Sequence, residues 1–182
     1  MKFIQNIRTR IGFSILNRKV KHLIREKVVC NFGTAKTVGI VFHPPDKNSF
    51  DYIMQFFRFL SEMDIELFII GYIDSKTIPD YYVIRKGINF FSKKDINWYG
   101  KPIVPYFSHF INQKFDMLID LCIEDLFPIL YFVNLSNAKF KIGKFSVRKN
   151  PYDLMIDIKK EKRVGFLVDQ IKHYLSIINK SS

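Results

Sequence analysis

From Thr37 onward the chain alternates short, β-branched apolar runs with amphipathic stretches of helical period, and this constrains the fold more than any other feature. Thr37–Phe42 (TVGIVF) and 65–72 (IELFIIGY) read as strands. So does 115–121 (FDMLIDL), and 88–91, 139–143 and 152–158 are further strand candidates. Between them lie helical patterns over 50–63, 106–113, 126–135 and 164–179. Strands alternating with helices build parallel βαβ units, and runs apolar on both sides belong to a sheet covered on both faces. The expected fold is α/β: a single Rossmann-like domain over 30–182, with a mainly parallel sheet of about five strands. Local chemistry supports the boundaries. His43-Pro44-Pro45-Asp46 stops the first strand, because proline cannot donate to a ladder. Asn48 or Ser49 can cap the helix after it, Glu124-Asp125 can cap a later one, and Pro128 suits a first turn, where its missing N–H costs little.

Residues 1–29 form a different block. They carry eight bases and one acid, a net charge of +7, out of +12 for the 182 residues. Ile4, Ile7, Ile11, Ile15, Leu16, Val20, Leu23 and Ile24 recur at helical spacing among the bases, which predicts a basic amphipathic arm, broken near Gly12. At least part of the stripe should dock on the domain, with Ile4, Ile7, Ile11 and Leu23 on one side. Such a charge favours anionic partners: RNA, a ribonucleoprotein or an anionic membrane surface. An AT-rich genome, which also enriches Ile, Asn and Phe, would raise the lysine count without any partner.

The rest of the composition excludes several classes. No apolar run reaches the roughly 18 residues of a membrane span, and Arg8, Arg10, Arg18 and Lys19 interrupt any signal-peptide core. Cys30 and Cys122 stand far apart, as free thiols of a cytoplasmic protein would, so no disulfide-linked partner is expected. There is no G-x-G-x-x-G, no P-loop and no G-x-S-x-G, and His22, His43, His109 and His173 lack metal-ligand spacing. No cofactor and no metal are expected, and the reading leans away from catalysis.

Two groups of candidate site residues remain. For binding, Arg8, Arg10, Arg18 and Lys19 on the arm join Lys93, Lys94, Trp98 and Lys101, a stretch where aromatics sit among lysines and could stack on bases while the lysines meet phosphates. For an enzyme, His43, Asp46, Asp120 and Glu124 fall near strand carboxyl ends, where open α/β sheets bind ligands, with Asp74, Asp125 and Lys144 close by. The bland alternative is that these acids hold turns and loop amides.

Two resemblances add to this. Phe115–Leu121, a helix, and then Ala138–Gly143 resemble the acceptor-side half of heptosyltransferase-like glycosyltransferases, which implies a small sugar- or nucleotide-linked enzyme. Asn31-Phe32 with 35–40 (AKTVGI), 93–102 (KKDINWYGKP) and 152–157 (YDLMID) together resemble an uncharacterised family of Bacteroidota, a domain of unknown function with a Rossmann-like core. The expected function is non-catalytic binding of RNA or a ribonucleoprotein through the basic arm. The alternatives are a peripheral membrane factor and the small enzyme.

Overall fold

The structure, a computed structural model, describes residues 2–83, 87–146 and 151–178. The expected helix end at Asn179 and the side chain of Ile4 lie outside the described part. Six strands form one sheet: β1 (Thr37–Phe42), β2 (Glu66–Ile73), β3 (Ile88–Ser92), β4 (Met117–Asp120), β5 (Phe140–Lys144) and β6 (Leu154–Ile156). All are parallel and lie in the order β3-β2-β1-β4-β5-β6. This is the doubly wound order, whose direction of winding reverses between β1 and β4. The α/β expectation holds, with one strand more than the five anticipated.

Alternate side chains of β1 enter two separate cores. Val38, Ile40 and Phe42 face α2 (Lys47–Ser61) and α6 (Val164–Ile177), where Phe50, Ile53, Leu60, Leu167 and Ile171 are buried. Val41 faces the other layer, formed by α1 (Lys2–Val20), α4 (Phe107–Asn112) and α5 (Phe127–Leu135). There Phe107 and Phe110 each meet Phe132 edge to face, an arrangement aromatic rings prefer. A short helix, α3 (Asp80–Val83), lies between β2 and β3. Asp46, two residues before Asn48 and three before Ser49, is the cap of α2 instead and accepts the Ser49 N–H at 2.7 Å.

The arm differs from expectation in two ways. α1 runs unbroken through Gly12, and the glycine is a point of closest approach. A Cβ there would lie 2.4 Å from the Tyr99 carbonyl oxygen and 2.5 Å from the Phe127 ring. The docked face is therefore Gly12, Phe13, Leu16 and Val20, while Ile7 and Ile11 stay exposed. Phe13 packs on Phe127 with ring centroids 4.4 Å apart, and the Tyr131 hydroxyl donates to the Gly12 carbonyl at 3.2 Å. Leu16 is only 1% exposed, a burial worth about 1.5–3 kcal/mol.

The segment after α1 is fastened as well. The Arg25 guanidinium forks onto both oxygens of Asp153 at 2.7 and 2.8 Å and also donates to the carbonyls of Ala138 and Lys139. Val28 donates its N–H to Lys139 O. Part of the arm's charge is thus spent inside the molecule, because Lys27 also pairs with Asp153, at 3.2 Å.

Candidate functional site

The carboxyl ends of β1 and β4 flank the winding reversal, and the expected acid–base residues separate there into two places. Asp120, the last residue of β4, is 4% exposed. Its Oδ1 accepts the Cys122 N–H at 2.8 Å, and its Oδ2 accepts the Tyr152 hydroxyl at 2.6 Å. Burial raises its pKa, against the lowering effect of Tyr152, Cys122 and the Lys144 charge. The Cys122 thiol is pushed well up by burial and then by the Asp120 carboxylate beside it, so it stays protonated and unreactive. Burial likewise raises the Tyr152 hydroxyl. Asp120 therefore bonds a loop amide and a tyrosine hydroxyl.

His43 projects from the end of β1, half-buried, with Nδ1 2.9 Å from the Tyr72 carbonyl oxygen. A carbonyl only accepts, so Nδ1 carries a proton and donates to it. Tyr72 donates to Asp74 at 2.9 Å, Asp74 pairs with Lys93 at 3.0 Å, and Asp125 pairs with Lys144. Asp46 is not in this cluster. It caps α2 and faces a cavity on the other side of the sheet. Glu124 is exposed. Tyr152 and Cys122 are the participants that sequence reasoning missed. Only the i, i+2 spacing of Asp120 and Cys122, which puts both on one sheet face, signalled either.

The binding residues come together better. After β3, a single 3-10 turn (Lys93–Asp95) is held by reciprocal bonds between Ser92 and Asp95. Ile96 then bridges to Pro102, and Asn97 Oδ1 accepts the N–H groups of Tyr99 and Lys101. Gly100 closes the loop at φ +90°, a conformation that favours glycine. The loop presents Trp98, 56% exposed, edge-on to Tyr99. The Arg8 guanidinium of α1 donates to the Trp98 carbonyl. Arg8 and Trp98, ninety residues apart, thus share one surface. Arg10, Arg18, Lys19 and Lys94 are exposed. Lys93 is engaged by Asp74, and Lys101 lies 5.9 Å over the Phe107 ring.

Buried charge elsewhere has structural work. Lys141, 2% exposed, donates to Val133 O at 2.7 Å at the carboxyl end of α5. Burial, then the nearby Arg25 charge, pulls its pKa down to about 7. Burial works to raise Asp116, but Lys36 N–H, Lys139 and Thr37 N–H together hold it below the usual carboxylate range. Cys30 and Cys122 are both free, and burial raises Cys30 to about 11. Among the described residues, no group of three His, Cys, Asp or Glu side chains could hold a metal ion, and no helix is long and apolar enough to cross a membrane.

Strand order and layering define a doubly wound α/β protein with a helix added before its first strand. The chain belongs to the family of unknown function DUF6913, which matches residues 8–178 and so takes in α1 as well as the sheet. No curated protein and no solved structure matches it.

Proposed function

We propose that the protein is a non-catalytic, cytoplasmic binding module that engages RNA or a ribonucleoprotein through α1 and the 93–102 loop. The observation that carries this reading is the docking of α1 beside Trp98. It joins an exposed indole to Arg8 and the other bases of α1, as single-stranded nucleic acid requires: a ring to stack a base and cations for the phosphates. Filter binding of the full chain to total RNA across a salt series tests it. Affinity should fall with salt at a log–log slope of about −0.7 per phosphate contact. Replacing Arg10, Arg18 and Lys19 with Gln should flatten that slope. Trp98→Ala should weaken binding by about 1–3 kcal/mol if a base stacks there. Glu124→Gln, an exposed acid on the β4–α5 loop, should leave binding intact. No binding at low salt, or binding indifferent to salt, would sink the reading.

One observation favours a membrane surface instead. Ile7 and Ile11 are 42% and 37% exposed on α1, where the exposed Arg8 and Arg10 stand between them in sequence, so α1 presents apolar and basic groups to solvent. Vesicle flotation with Ile7→Ser/Ile11→Ser separates the two. Lipid binding needs both isoleucines, whereas RNA binding needs the charges and Trp98 and should survive loss of the isoleucines.

A further inference from the structure

The opposite face of the same sheet end holds a cavity of about 530 Å³ between the starts of α2 and α6. It lies beside the loops that leave β1 and β4, against Pro45 and Ile123, outside the point where the winding reverses. Ligand pockets typically measure roughly 300–1,000 Å³, and in open α/β sheets they occupy this crevice.

Its walls are chemically divided. On one side, Lys162 and Arg163 lead into α6, which has no side-chain cap. Its first-turn amides therefore point outward without a side-chain acceptor, alongside two cations. Arg163 pairs with Glu161 but is two-thirds exposed, so its guanidinium can turn to a ligand. On the other side stand the carboxylates of Asp46 and Asp51. Asp46 is already engaged by the Ser49 N–H, and Asp51 is exposed. The Tyr52 ring, 44% exposed, packs against Gly165, where a Cβ would lie 3.3 Å from it, and so walls the cavity with an aromatic face.

Two carboxylates in the lining would repel a ligand anionic at both ends. The complement to this cavity is anionic at one end, to meet Lys162, Arg163 and the α6 amides. At the other end it carries hydroxyl donors for Asp51 and a flat ring or sugar face for Tyr52. We propose that the cavity binds a small sugar phosphate. The site is independent of the RNA surface, since neither Lys162 nor Arg163 belongs to α1 or the 93–102 loop.

Isothermal titration of the full chain tests it, with ribose 5-phosphate and glucose 6-phosphate as probes and ribose and inorganic phosphate as their separated halves. At least one sugar phosphate should bind, and ribose should bind at least tenfold more weakly. Lys162→Gln/Arg163→Gln, both at the surface, should lower that affinity at least tenfold while the thermal unfolding midpoint stays unchanged. Asp51→Asn should weaken the sugar phosphate yet leave inorganic phosphate binding equal or tighter, because it removes a hydroxyl acceptor and a repelling charge together. Absence of heat from both sugar phosphates at millimolar concentration would overturn the proposal. So would an unchanged affinity in the double variant.

Discussion

Gly12→Ala sets two opposing effects against each other, and their magnitudes decide the sign. In an exposed helix interior, alanine is better than glycine by about 0.8–1 kcal/mol. At Gly12 the new methyl would sit 2.4 Å from the Tyr99 carbonyl oxygen and 2.5 Å from the Phe127 ring. Ordinary contact needs about 1 Å more. The carbonyl belongs to the tight 96–102 loop and cannot swing aside, so α1 must lift. Overpacking of this kind typically costs about 1–3 kcal/mol. A gap of 0.5–1 Å over Leu16 and Phe13 forfeits about a quarter to a half of their dispersion contacts besides. The clash wins, and the net loss is roughly 1–2 kcal/mol. At about 2–4 °C per kcal/mol for a chain of this size, scanning calorimetry should show the midpoint falling by roughly 2–8 °C. Arg10→Ala, two residues away and exposed, serves as the control and should change little. A midpoint that rises in Gly12→Ala would mean α1 does not rest on Tyr99 and Phe127, and the joined surface with Trp98 would fall with it.

Two further outcomes follow from buried charge. Asp153 is held below the usual carboxylate range: burial opposes this, but bonds from Arg25 and from the Lys141 N–H outweigh it. Its contribution is complete above the ordinary carboxylate pKa and is lost as pH falls through the lowered folded value. Asp153→Asn, which strands a nearly buried Arg25, should cost about 3 kcal/mol in urea unfolding at pH 7 and flatten the acid limb of the stability curve. Lys141 runs the other way, with a folded pKa of about 7 against 10.5 for the free side chain. Between those values the unfolded chain binds the extra proton, so stability should climb with pH from about 7 toward 10. Lys141→Met should abolish that climb, and a climb that persists in the variant would refute the assignment.

The sheet was legible because each strand's signal is local. Thr37–Phe42 is bounded by a polar residue before it and two prolines after it, and β1 has those limits. Pro128 falls in the first turn of α5, as its missing N–H requires. The docked face of α1 was not legible in the same way. Ile4, Ile7 and Ile11 form the more apolar stripe, but how closely two helices approach depends on a small residue and on what stands opposite. Tyr99 and Phe127 are far from Gly12 in sequence. The Asp120 network was half legible: periodicity places the acid at a strand end, yet its partner Tyr152 comes from a segment 32 residues on. The pairing of Arg25 was not legible at all, because its partner Asp153 lies 128 residues later.

The seat of α1 also has a consequence in time. The Tyr131 hydroxyl that bonds Gly12 is made 119 residues after it. At about 5–20 residues per second, synthesis leaves α1 without that seat for roughly 6–24 s. Helices of this length form in about 0.1–1 μs, so throughout this interval a basic helix can form and dissolve with Leu16 and Phe13 uncovered. Arg25 waits longer still for Asp153. The element that completes the α5 layer is synthesised before every other described element and is among the last to be secured, so a chain stalled before residue 131 would display α1 without that bond to rest on.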